Sequence, residues 1–600
     1  FLRKEFAVDK SIKKAVLYVC GLGLGEYTIN GKNVTEDVLT TPFTKYDSRV
    51  YYNKYDVTNY IQIGRNAIGA YLGNGFYNDK NDIWEFSMAP WHHHPKLLLE
   101  LIITYENKRE EKIVSDGSWK SVRGACVYNH MREGECFDNR LNPKHWRKPY
   151  FDDNDWYNVF ICRPPGGKLE ENIYPAIQKI KFLYAKKIAD DIYDFGENTS
   201  GFIHVKGSAN SGHELIIEYS ERIVDGDIDT KNINLFNKNE LRHTDKYIFS
   251  GDGIEEWEPS FCYHGFRYVK ITNAPEDLEV YAVTVHTNLK IIGEFETDNI
   301  MINKIHNACC RSTLTNFHGI PTDCPHREQN GWTGDAQWSA SQALMNYDIY
   351  ESYYKWMLDF KDVQRPNGQL PGIVPSGGWG FNWGSGPAWD SALFIIPWEA
   401  YISTGNKKIL SAVYDNMRLY LEFANAMTVD NIADFGLPDW CAADNSNVCP
   451  RPVTDTAYYY HCCKLMVEIS NALGYESKRY LEKSYEIKKS FTKNFISDEK
   501  LFNNQTFLAV CIYFDLVPDG KITEYAKRLA EITEQNGNHI VGGTIAAKCI
   551  FSALADNGYN DILYKCVTNP EYPSYAYWIN NGMTTICENW DMSSSLNHHM

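Results

Sequence analysis

No apolar run in the 600-residue chain is long enough to cross a bilayer, because a spanning helix needs about 20 such residues. Excess positive charge is missing as well: 60 Lys and Arg stand against 77 Asp and Glu, a net charge of −17. Neutralising a nucleic-acid backbone or an anionic lipid surface takes clustered cations, so neither a nucleic acid nor a membrane is an expected partner. The 16 cysteines contain no Cys-x-x-Cys and are scattered, with adjacent pairs at Cys309-Cys310 and Cys462-Cys463. That pattern fits free thiols in a reducing compartment better than a disulfide framework or a zinc site. The opening Phe-Leu-Arg-Lys-Glu-Phe lacks the basic and apolar regions of a signal peptide, so a cytoplasmic location is expected. It also lacks an initiator Met, as a trimmed chain would. Gly21-Leu-Gly-Leu-Gly25 lacks the third glycine of a dinucleotide fingerprint and leads into a hairpin. His92-His93-His94 sits between prolines, and neighbouring strand residues face opposite ways, so it reads as a solvated turn. Neither a cofactor nor a metal is expected.

What the chain has in abundance is aromatic side chains, 14% of all residues. Eight of the 16 tryptophans fall between Trp332 and Trp440. Such density beside Gly-rich and polar segments suggests a lined cleft, and sugar C–H faces pack well on indole rings.

The first half reads as short strands. Residues 14–34 give an apolar run, a glycine break and a hairpin turn at Asn30-Gly31. Further strands are expected near 97–105, 112–114, 203–205, 215–219, 247–249, 268–271 and 279–285. Pro164-Pro165-Gly166-Gly167 marks a boundary. Beyond residue 298 the apolar spacing becomes helical, over 347–363, 391–403, 407–426, 454–473, 475–495, 522–536 and 544–556. Thr404-Gly405-Asn406 and Gly474 are stop signals. Paired helices without a fixed repeat period indicate a helical toroid rather than a solenoid. The expected fold is therefore multidomain: antiparallel β-sandwich domains over 1–170 and 171–292, then an (α/α)6 six-hairpin barrel over 293–600.

One segment concentrates chemistry. Asp323-Cys-Pro-His-Arg-Glu-Gln-Asn-Gly-Trp-Thr-Gly-Asp335 places acids, an Arg and a Trp between prolines and glycines that preclude a continuous helix. A buried ion-pair network is the bland reading, but rigid loops holding such mixtures are where sites tend to lie. Glycoside hydrolysis needs two carboxyl groups flanking the scissile bond, one donating a proton and one activating water or attacking. Glu328 is the candidate acid. Glu588, in Gly582-Met-Thr-Thr-Ile-Cys-Glu-Asn-Trp590, is the second carboxylate by local context.

These residues closely resemble the bacterial α-L-rhamnosidase family, glycoside hydrolase family 78. The 323–335 run agrees with every fixed position of the family loop. Leu72-Gly-Asn-Gly-Phe-Tyr77, Asp194-Phe-Gly-Glu-Asn198 and Pro259–Tyr268 look like its β domains, and Gly386-Pro-Ala-Trp-Asp390, Pro438-Asp-Trp440 and Ser595-Leu-Asn-His598 like its barrel loops. The resemblance implies an inverting hydrolysis of terminal α-L-rhamnosides from glycosides, oligosaccharides or polysaccharides. Glu328 would be the general acid and Glu588 the general base. Asp323, Arg327 and Asp335 would bind rhamnose hydroxyls with His598 nearby, and Trp332, Trp389 and Trp440 would form an aromatic wall. Arg327 is expected to face the sugar or Asp323 rather than Glu328. Cys587 stands where the family commonly has a bulky aromatic, and the chain stops at Met600, where relatives continue into further barrel helices and a C-terminal β domain. An incomplete barrel is thus expected. The alternatives are a six-hairpin glycosidase for another sugar and a non-catalytic carbohydrate-binding relative.

Overall fold

Gly23 separates two strands in the computed structural model, which describes residues 1–236, 241–445 and 448–599. Strand Ile12–Leu22 precedes it in one sheet and strand Leu24–Ile29 follows it in another. Its φ is +98°, and a Cβ there would lie 2.2 Å from the Gly73 carbonyl oxygen, so a side chain is excluded. The expected hairpin follows: Asn30 and Gly31 both have positive φ and return the chain into strand Lys32–Asn33. A six-stranded and a five-stranded sheet enclose a core that includes Phe6, Leu17, Val19, Ile29, Ile68, Leu101 and Trp119.

A ten-stranded sheet builds the next β domain around Phe195, Ile217, Tyr247, Trp257 and Phe266. Its strands do not respect a division at residue 170. Cys126–His130 and Gly134–Asp138 come from the earlier part of the chain yet join this sheet, the latter running parallel to Thr244–Ile248. Conversely, Lys168–Glu171 straddles the expected boundary and pairs in parallel with Arg49–Asp56 of the five-stranded sheet. Gly166-Gly167 is therefore a turn back into the first sheet rather than a break between domains. A Cβ at Gly167 would approach the Tyr46 carbonyl to 2.4 Å.

Helices occupy the remainder. Asn299 caps Ile300–Thr315 by accepting from the Met301 N–H at 2.8 Å. Gly405 and Gly474 end their helices in the left-handed conformation, as their stop signals require. Thr333–Asn346 packs on Ala392–Thr404, which packs on Arg451–Leu473; Gln505–Tyr513 and Thr544–Ala555 continue the series back to Thr333–Asn346. These inner helices are buried on most sides, whereas the outer Lys478–Phe495 and Ile522–Gln535 bury one stripe each. Among the described residues no helix is long and apolar enough to cross a membrane. The chain divides into two compact units: one holds residues 1–288 together with Pro325–Glu328, the other 289–324 and 329–600.

Candidate active site

Residues 323–324 and 329–335 are pinned locally in the second unit. The Asp323 N–H donates to the Asn330 carbonyl at 3.0 Å, and the Asn330 N–H returns a bond to Asp323 Oδ1 at 2.9 Å. Gly331 must be glycine, because a Cβ would sit 2.0 Å from the Val374 carbonyl oxygen. The segment is not irregular throughout: helix Thr333–Asn346 begins inside it. Asp335 consequently lies in a first helical turn, where the unpaired N–H groups favour a carboxylate.

Three of the expected residues meet here. His598 Nε2 and Asp335 Oδ1 are 2.8 Å apart, and the His599 N–H donates to the Asp323 carbonyl at 2.9 Å. Burial alone would lower the His598 imidazole, but Glu588, Asp335 and Asp323 outweigh it and raise it to about 9. Burial pushes the Asp323 carboxyl up to about 6, against the pull of His598. Asp323 Oδ2 and His598 Nδ1 are buried without a hydrogen-bond partner among the described residues. Such groups cost about 1–3 kcal/mol each unless something meets them, and the hydroxyl groups of a sugar would.

Glu588 is half-buried in a stretch folded on itself, with its N–H donating to the Ser595 carbonyl at 2.9 Å and the His598 N–H to Ile586 at 2.8 Å. Its Oε2 accepts from the Ser594 hydroxyl at 2.5 Å. It borders a cavity of about 160 Å³ whose lining includes Trp338, Lys548, Tyr575, Trp578 and Trp590. That cavity reaches neither aspartate.

The aromatic wall differs from expectation in one member. Trp332 contacts Trp379 and Trp383 at centroid distances of 5.6 and 6.0 Å, and Trp383 contacts Trp440 at 6.4 Å. Trp389 is elsewhere: it is 3% exposed and packs against Trp338. A Cβ on Gly334 would lie 2.5 Å from its indole Nε1, so Trp389 supports the segment from beneath. Trp440 is carried by its neighbour, since Asp439 accepts from the N–H groups of Gly543, Ile545 and Ala546 at 2.8–3.4 Å. Trp379 and Trp383 lie close to Trp389 in sequence and are the tryptophans that compete with it for this position.

Glu328 and Arg327 belong to the first unit. Arg327 Nε lies 3.8 Å from Glu328 Oε1, beyond hydrogen-bond distance, with side chains 5% and 12% exposed. Arg327 Nη1 donates to the Asn232 carbonyl at 3.4 Å. The same unit contains Asp245, Cys262 and His264, grouped at metal-ligand spacing among the described residues. The Asp245 oxygens already accept from the Glu135 N–H, the Tyr219 hydroxyl and the Cys262 thiol, and Oδ2 lies 3.0 Å from His264 Nε2. The group is a hydrogen-bonded core element.

Known proteins share this chain's organisation. Residues 10–181 match the alpha-L-rhamnosidase N-terminal domain, 186–288 the bacterial alpha-L-rhamnosidase concanavalin-like domain, and 290–600 the bacterial alpha-L-rhamnosidase six-hairpin glycosidase domain. An alpha-L-rhamnosidase of Formosa agariphila is 30% identical across the whole chain, which spans 68% of that relative. The solved alpha-L-rhamnosidase from Dictyoglumus thermophilum superposes over the whole chain with a TM-score of 0.93 at 37% identity, and 69% of it is covered. The Streptomyces avermitilis alpha-L-rhamnosidase complexed with L-rhamnose gives a TM-score of 0.93 at 28% identity over the whole chain, with 60% of it covered. The chain therefore spans between three fifths and about two thirds of these relatives.

Proposed function

This chain belongs to the bacterial α-L-rhamnosidase family, and from that premise we propose that it removes terminal α-L-rhamnose from glycosides or carbohydrates with inversion at the anomeric carbon. The carrying observation is the buried cluster of Asp323, Asp335 and His598, whose unpartnered Asp323 Oδ2 and His598 Nδ1 have the polarity that sugar hydroxyls satisfy. Exposed indoles of Trp383 and Trp440, with Trp383 packed on the buried Trp332, suit a deoxysugar, because the 6-methyl group of rhamnose favours an apolar surface.

Glu328 donates the proton to the leaving oxygen and Glu588 accepts one from the attacking water. Breaking the bond to the leaving group creates positive charge at the anomeric carbon, which Asp323 and Asp335 stabilise while holding the ring hydroxyls. Ser594 orients the Glu588 carboxylate through its 2.5 Å hydrogen bond. Arg327 binds the rhamnose hydroxyls beside the acid. A panel of nitrophenyl glycosides tests the sugar: α-L-rhamnoside turnover is expected, and turnover of another glycoside in its place contradicts the reading. Glu328→Gln should abolish hydrolysis of alkyl rhamnosides and leave rhamnose binding measurable by calorimetry.

A further inference from the structure

Three segments that this chemistry leaves unused converge, within the first unit, on the tetrapeptide Pro325–Glu328. They are the regions of Leu72–Tyr77, Asp194–Asn198 and Pro259–Tyr268. We propose that Arg132 and Glu221 are positioning residues that fix where Glu328 presents its carboxyl group, an inference that rests on Glu328 being the acid.

Arg132 lies in the turn between strands Cys126–His130 and Gly134–Asp138 and is wholly buried. Its Nε donates to the Glu328 carbonyl oxygen, and its Nη1 pairs with Asp79. The guanidinium is held over the rings of Phe76 and Phe86, 5.3 and 5.2 Å from their centroids. Asp79 is fixed in turn by His130 Nε2 at 3.1 Å and by the Asn81 N–H at 2.8 Å. Burial opposes ionisation of Asp79, yet Arg132 and His130 hold its carboxyl well below the ordinary range. The Asn74 N–H and amide each bond Asn129 at 2.8 Å, stapling the Phe76 loop to the strand that leads to Arg132. An Arg–Asp pair buried to this degree is costly to break, because one charge would be left uncompensated. The carbonyl of Glu328 is therefore tied to a rigid fork.

The other end of the tetrapeptide has its own anchor. His326 Nδ1 accepts from the Arg327 N–H at 2.7 Å, which leaves Nε2 protonated and facing Glu221 Oε2 at 3.1 Å. Glu221 Oε1 accepts from the Asn198 amide at 2.8 Å. Beneath it, Gly265 permits close approach: a Cβ there would lie 2.4 Å from Pro325 Cγ and 3.2 Å from His326 Cδ2. Two anchors, one at each end of four residues, leave the Glu328 side chain little freedom of direction. An error of about 1 Å in placing a reacting group can cost about 10²-fold in rate.

The test exploits the fact that proton donation matters most when the leaving group is basic. The kcat/KM values of the full chain and of Arg132→Lys, Glu221→Gln and Glu328→Gln are compared on methyl and dinitrophenyl α-L-rhamnosides. Arg132→Lys and Glu221→Gln should lose about 10²-fold on the methyl glycoside, mainly in kcat, and change little on the dinitrophenyl one. Equal losses on both substrates, or none, overturn the positioning role. Should Arg132→Lys not fold, Glu221→Gln decides in the same way. If Glu328→Gln itself lacks the contrast, the acid assignment fails and this inference with it. If only the two positioning variants lack it, the acid assignment stands and this inference falls.

Discussion

His598 and Asp335 lie 263 positions apart in sequence and 2.8 Å apart in space, and their hydrogen bond joins the last described loop to the first turn of an inner helix. The charges of Glu588, Asp335 and Asp323 raise the imidazole from 6.5 to about 9 although it is buried.

That shift fixes the sign of a pH effect. The folded state favours the imidazolium, so its contribution is full below pH 6.5 and is lost as pH rises through about 9. Its size is on the order of 3 kcal/mol. The thermal midpoints of the parent and of His598→Gln should differ clearly at pH 6 and converge by pH 10. An undiminished gap at pH 10 would mean that packing, rather than charge, accounts for the loss.

The aromatic residues should separate by role. Trp383 is 52% exposed and Trp389 is 3% exposed. Trp383→Ala should weaken kcat/KM by about 1–3 kcal/mol and leave the thermal midpoint nearly unchanged. Trp389→Ala should destabilise the protein by about 3–5 kcal/mol through a cavity beneath Gly334. Steady-state kinetics alongside calorimetric melting checks both, and the reverse pattern would return Trp389 to the sugar-binding wall.

Asp439 links the wall to a helix. Its carboxylate accepts the N–H groups of Gly543, Ile545 and Ala546, and the Trp440 carbonyl accepts from the Thr544 N–H at 2.9 Å. Asp439→Ala should cost about 1–2 kcal/mol of stability and raise KM by releasing Trp440. A stability loss with an unchanged KM would show that Trp440 does not contact substrate.

Much of this arrangement was readable in the residues. Asn30-Gly31, Gly405 and Gly474 mark their turns because only special backbone conformations fit there, and the structure uses all three in that way. Helix Gln505–Tyr513 was not legible, because residues 505–511 are all buried and leave no polar stripe to set a period. Thr333–Asn346 hid behind Gly331 and Gly334, which read as loop residues; Gly334 in fact lies inside the helix and accommodates the indole of Trp389. The site aspartates stood out through a local motif. Arg132 and Glu221 did not, since their meaning arises only when strands far apart in sequence bring them to Glu328 and His326. The contact of Arg327 with Asn232 was hidden for the same reason.

The pairing of Glu328 as acid with Glu588 as base is tested most directly by the configuration of the first product. Proton NMR during hydrolysis of a nitrophenyl α-L-rhamnoside, read before mutarotation equilibrates the anomers, should show β-L-rhamnose appearing first. Initial accumulation of α-L-rhamnose would contradict the single-displacement account and make the second carboxylate a nucleophile instead.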